Sequence, residues 1–182
     1  MKKICAFLCI MVAVSAFSSC AAKNYVPERK DYTFKTQVFT TTDDDFTVAD
    51  SIITTVTDKS GNSFQLVSYT EPLDPEYWRG FGNIVEDDIN FDGIPDLMIC
   101  LGPTNAFGGF TYDGYTWDNK LHKFTHVENF SEIMDPVYFP SENKITGTYR
   151  IDNNYWFSTY QWQNGKLVLI EESMETFNDN DE

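Results

Sequence analysis

The chain has 182 residues, with 28 acidic against 13 basic side chains and a formal net charge of −15. A field of that sign repels phosphate backbones and acidic lipid, which excludes nucleic acid as a ligand and disfavours unassisted adhesion to an anionic membrane. The length suits one domain with a core of its own once a leader of about 20 residues is set aside.

The leader reads clearly. Lys2 and Lys3 form a basic start, and Ile4 to Phe17 are apolar except for Ser15. Spanning a bilayer takes about 20 apolar residues, so this run is too short and has the shape of a signal-peptide core. It ends in Phe17-Ser18-Ser19-Cys20, which resembles the lipobox of bacterial lipoproteins, with Phe17 where leucine is usual. The resemblance implies residues 1–19 as a removed signal peptide and lipid attachment at Cys20. It also implies an outer-membrane lipoprotein facing the periplasm. The alternative is an ordinary secretory signal with an incidental Cys20. Loss of Lys2 and Lys3 takes the net charge from −15 to −17.

Residues 20–31 are mostly polar, contain one proline and read as anchor and tether. A single β domain is expected over residues 32–170. Alternating or β-branched runs predict strands at Tyr32–Thr40, Phe46–Thr57, Ser63–Tyr69, Asp96–Leu101 and Thr111–Trp117. Further strands follow at Lys123–Val127, Lys144–Ile151, Tyr155–Gln163 and Lys166–Ile170. Turn signals separate them at Asp58 to Asn62, Asp92-Gly93, Asp118-Asn119 and Asn164-Gly165. The single helix candidate is Asn129 to Met134, with Ser131 as a possible cap. Residues 171–182 are acidic and read as a fraying tail.

Of the four cysteines, Cys5 and Cys9 leave with the leader and Cys20 takes lipid. Cys100 remains, closing an apolar run, and reads as a buried structural thiol. No disulfide framework is expected.

One motif recurs. Tyr115-Thr-Trp117-Asp118-Asn119-Lys120-Leu121 returns loosely as Tyr160-Gln-Trp162-Gln163-Asn164-Gly165-Lys166-Leu167. A period of about 45 residues is the size of a four-stranded blade. The expected fold is all-β: propeller-like or open antiparallel hairpin repeats, with a plain β-sandwich as the alternative.

The sharpest chemical signal runs from Asp88 to Asp96. Oxygen-bearing side chains fall at loop positions 1, 3, 5 and 9 (Asp88, Asn90, Asp92, Asp96), with Gly93 at position 6. Calcium takes six to eight hard oxygen ligands, and alternation lets one wound loop aim successive groups at one point. Gly93 permits the reversal that brings the carbonyl of Ile94 into position 7, while Ile89 and Phe91 turn inward as anchors. Position 12 is Ile99, where an EF-hand would place a bidentate glutamate. The pattern therefore fits a calcium-binding β-hairpin of the FG-GAP type. A solvated Asp-Gly turn is the plain alternative. Affinity is expected on the order of 10⁻⁴ to 10⁻³ M, as for extracellular modules.

No catalytic residue can be chosen. The two histidines, His122 and His126, share a strand face but have no third metal ligand nearby. Nucleophile elbows, zinc-protease helices, phosphate loops and dinucleotide fingerprints are all missing. An enzyme is disfavoured. The 15 Phe, 10 Tyr and 4 Trp point instead to recognition. In the glycine–aromatic stretch from Asn105 to Tyr115, the rings of Phe110, Tyr112 and Tyr115 are the candidate partner contacts. Core packing of the same rings is the alternative.

From Val85 to Ile170 the order of these features resembles a family of periplasmic bacterial proteins and lipoproteins. That order is acidic calcium loop, glycine–aromatic segment, Tyr-x-Trp-Asp hairpin, Phe130 segment and closing Tyr160-x-Trp162 hairpin. The family has a propeller-like β fold with bound calcium. One branch comprises immunity proteins that inhibit lysozyme-like peptidoglycan hydrolases. The resemblance implies calcium on Asp88, Asn90, Asp92, Ile94 and Asp96, and a non-enzymatic binding module whose partner is a basic hydrolase. A carbohydrate-binding accessory lipoprotein, with a glycan as partner, is the second expectation.

Overall fold

Period-two alternation of β-branched and aromatic residues builds most of the eleven strands found among the described residues. The computed structural model describes residues 32–43, 46–73, 80–103 and 109–176. The leader and tether lie outside the described residues. Strands β1 (Tyr32–Asp43), β2 (Phe46–Asp58) and β3 (Ser63–Leu73) form a three-stranded antiparallel meander. A second meander joins β4 (Ile84–Asp87), β5 (Asp96–Pro103), β6 (Phe110–Asp118) and β7 (Lys123–His126). The third joins β8 (Val137–Phe139), β9 (Lys144–Ile151), β10 (Asn154–Gln163) and β11 (Lys166–Thr176). The fold is all-β, built of open antiparallel hairpin repeats.

Turn chemistry sets the hairpins. The Asp58 carboxylate accepts the backbone N–H groups of Ser60 (2.8 Å) and Asn62 (2.9 Å), which closes the β2–β3 turn. Asp118 does the same for Lys120 and Leu121 between β6 and β7. Asn164 and Gly165 both hold positive φ (52° and 76°), the requirement of a tight two-residue turn.

Two apolar cores sit either side of the second sheet. One joins Ile52, Val56 and Leu66 of the first sheet to Leu97, Ile99, Leu101, Tyr115 and Trp117 of the second. The other joins Met98 of β5 to Phe130, Ile133, Ile145, Tyr160 and Leu167. Strand β5 is buried along its whole length, so alternate side chains feed opposite cores. Burying each such aliphatic chain contributes about 1.5–3 kcal/mol. The recurring motif falls on equivalent positions: Tyr115 and Trp117 on the third strand of the second sheet, Tyr160 and Trp162 on the third strand of the next.

Three expectations need correction. The segment from Asn129 to Met134 is a single 3-10 turn, Phe130–Glu132, preceded by Asn129 with φ 69° and no side-chain cap. Ser131 lies inside the turn. Phe130 and Ile133 are fully buried, so this short segment plugs a core instead of propagating a helix. Phe130 packs so closely on Gly114 that a Cβ there would stand 2.6 Å from its ring. The expected acidic tail is a strand as far as Thr176. Glu171, Glu172 and Glu175 pair across to Thr159, Ser158 and Tyr155, so no like charge opposes them. Residues 177–182 lie outside the described residues. Lastly, β4 and β8 are additional strands, each too short to show a period.

Candidate metal centre

The loop between β4 and β5 winds on its own side chains. Asp88 accepts the N–H of Asp92 on Oδ1 (3.0 Å) and of Gly93 on Oδ2 (2.8 Å). Asn90 Oδ1 also accepts the Asp92 N–H (3.0 Å), and Asp92 Oδ1 accepts the Ile94 N–H (2.8 Å). Each acceptor oxygen retains a further lone pair. Gly93 has φ +85° with nothing within 4 Å of an added Cβ, so glycine is required by backbone conformation and not by crowding. Ile89 is fully buried and Phe91 half-buried against the same core, as anchors should be.

Asp96 opens β5 and is fully buried. Its Oδ2 accepts the N–H groups of Ile89 (3.1 Å) and Asn90 (3.3 Å), and its Oδ1 that of Trp117 (2.7 Å). Burial pushes its pKa up to about 7; the Trp117 and Asn90 N–H donors pull down, and the Asp92 and Asp88 charges push up further. One buried carboxylate thus ties both ends of the loop to β6. Trp162 Nε1 ties the same loop to the third sheet by donating to the carbonyl of Ile89 at 2.7 Å. Ile94 packs in one core and Ile89 in the other. The loop is the point where all of these elements meet.

Among the described residues, no three His, Cys, Asp or Glu side chains stand together as a ready metal cage. The carboxylates of Asp88 and Asp92 face loop N–H groups, that of Asp96 is held by the N–H groups of Ile89, Asn90 and Trp117, and the remaining expected donors are an amide and a carbonyl. The donor set is nonetheless all hard oxygen on one tightly wound loop, which suits calcium better than a transition metal. Ile99, at position 12, is buried in β5, so no helix follows the loop.

The other singled-out residues lie elsewhere. Tyr115 is only 4% exposed and is a core residue, so its ring offers no contact area to a partner. Its phenol bonds Asp113 (2.8 Å) and lies 3.2 Å from the Ser68 hydroxyl. Phe110 and Tyr112 are half-buried on β6, and residues 104–108 lie outside the described residues. Cys100 is buried, and burial pushes its thiol pKa up. His122 sits in the β6–β7 turn beside Trp117, whereas His126 lies on β7 beside Tyr115. The pairing of His126 with Asp113 at 2.7 Å was not anticipated. The hairpin register, which sets Tyr115 opposite His126, contained the signal for it.

No family model and no curated protein matches the chain. Among solved structures, a Xanthomonas type IV secretion system related protein is similar, at 24% identity and a TM-score of 0.55. The likeness covers 81% of this chain and 79% of that one, and it is a likeness of fold.

Proposed function

We propose that this chain is a calcium-stabilised, non-enzymatic binding module, held at the periplasmic side of an outer membrane by lipid on Cys20. The observation that carries the reading is the Asp88–Asp96 loop, an oxygen-rich turn tied to β6 by Asp96 and to the third sheet by Trp162. When bound, calcium supplies positive charge where Asp88, Asp92 and the buried Asp96 otherwise repel one another. Asp88, Asn90, Asp92, Asp96 and the Ile94 carbonyl would hold it.

The net charge favours a basic partner, since opposite fields speed association. A lysozyme-like peptidoglycan hydrolase is the partner class we favour, with inhibition as the outcome. A glycan partner is the second reading. It draws support from Tyr149 and Trp156, a stacked pair of half-buried rings on the β9–β10 hairpin with centroids 5.8 Å apart.

Thermal melting in calcium and in chelator tests the site. For an affinity of 10⁻⁴ to 10⁻³ M, calcium at about 10 mM should stabilise the native state by ~1.4–2.7 kcal/mol. Asp92→Ala should remove most of that gain. Identical melts of demonstrably metal-free protein in both conditions would overturn it. The anchor is checked separately: Cys20→Ala should lose acyl mass and leave the membrane fraction.

A further inference from the structure

Away from the loop, one cleft gathers chemistry that no role above uses. It lies between β3 and the β6–β7 hairpin, has a volume of about 460 Å³, and is lined by Gln65, Tyr69, Asp113, Tyr115, His126 and Ser131, among others. Asp113, at its base, is 6% exposed. Its Oδ1 meets His126 Nε2 at 2.7 Å, and its Oδ2 accepts the Tyr115 hydroxyl at 2.8 Å. An ionised carboxylate can only accept, so Nε2 is the donor in this contact, and in the neutral tautomer that this fixes Nδ1 keeps its lone pair. His126 is 54% exposed, and its Nδ1 has no partner among the described residues. At the rim, Tyr69 is 76% exposed. Among the described residues no hydrogen bond joins Ser131 to His126, so the imidazole–carboxylate pair has no nucleophile in contact. The arrangement suits binding and not acyl transfer.

We propose that this cleft receives an arginine side chain projected by a basic protein partner. The inference rests on the reading of the chain as an acidic binding module. Three features select a guanidinium. The Tyr69 ring offers a face for a planar cation. The His126 Nδ1 accepts one N–H. The Asp113 carboxylate, which holds both His126 and Tyr115, stands directly behind the imidazole and favours a cationic group over a neutral one. A sugar hydroxyl could also donate to Nδ1, but it would leave that preference unused.

The test uses full-length protein in detergent with calcium present, following the His126 imidazole resonances by NMR. Three probes are titrated: N-acetyl-arginine methylamide, its neutral citrulline counterpart, and N-acetylglucosamine. The arginine probe should shift the ring saturably, with affinity on the order of millimolar, and at least tenfold more tightly than citrulline. Asp113→Asn should abolish the response with near-UV circular dichroism unchanged, and exposed Tyr69→Ala should weaken it. Equal responses to arginine and citrulline, or no response to either, would overturn the proposal. A response to N-acetylglucosamine alone would make the cleft a glycan site instead. Should Asp113→Asn not fold, an undiminished arginine response in Tyr69→Ala overturns it. Because the probes need neither an intact partner nor a calcium-dependent melt, this result separates from the outcome for the calcium loop.

Discussion

The indole Nε1 of Trp162 donates a 2.7 Å hydrogen bond to the carbonyl of Ile89, a residue of the acidic loop 73 positions earlier in the chain. The equivalent indole in the preceding repeat, Trp117, is buried, and its Nε1 has no partner among the described residues. The two tryptophans of the recurring motif therefore do different work. One fills a core, whereas the other fastens the third sheet to the loop.

Trp162→Phe should keep the ring and delete the fastening. It leaves the Ile89 carbonyl without that donor, at a cost of about 1–3 kcal/mol. Denaturant titration should show a lower midpoint with an unchanged slope, the signature of lost stability without a change in exposed surface. An unaltered midpoint would show that the bond contributes nothing net.

Gly93→Val should weaken calcium binding by straining the backbone, because the position needs φ +85° and has ample room. Gly165→Val carries a similar strain, at φ +76°, in a turn far from any loop ligand in sequence. Isothermal titration should find reduced calcium affinity in the first variant and near-normal affinity in the second. Equal affinity in wild type and Gly93→Val would show that the loop is not wound as described.

Alkaline pH should unfold the protein through its buried phenols. Burial first, and then the Glu132 and Glu172 charges, push the Tyr160 pKa up to about 12. Burial also raises Tyr115, helped by Asp113, and Tyr138, helped by Asp87. Tyrosine in the unfolded chain ionises near pH 10, so above that pH the unfolded state sheds protons that the native state keeps. The stabilisation is complete below pH 10 and falls as pH rises toward 12. Phenolate absorbance should therefore grow together with loss of near-UV circular dichroism. Complete ionisation of all ten tyrosines near pH 10 in a folded protein would refute the burial.

Much of the framework was legible because alternation and turn chemistry are local. Asp58 to Asn62, Asp118-Asn119 and Asn164-Gly165 all mark turns between paired strands. The loop pattern from Asp88 to Asp96 was legible for the same reason. What local pattern could not disclose was the covering of both faces of the second sheet. Tyr115 looked available for recognition because it closes a glycine–aromatic stretch, whereas the first sheet lies over it. Asp96 illustrates the same limit. Its place in the loop follows from spacing, but its bond to the Trp117 N–H depends on a strand 21 positions away. The acids from Glu171 to Glu175 suggested solvent because charge alone does not reveal neutral cross-strand partners.

The double burial of β5 ties the fate of the two cores together. Leu97, Ile99 and Leu101 hold one outer sheet while Met98 helps hold the other. Peeling away either sheet wets one side of the same eight-residue strand. Neither outer sheet is then an independent foldon: each opening weakens the wall on which the other rests. The slowest amide exchange belongs on β5, and the edge strands β1 and β11 should exchange first. A clamp on the loop that precedes β5 would raise the protection of the whole molecule, well beyond the loop itself.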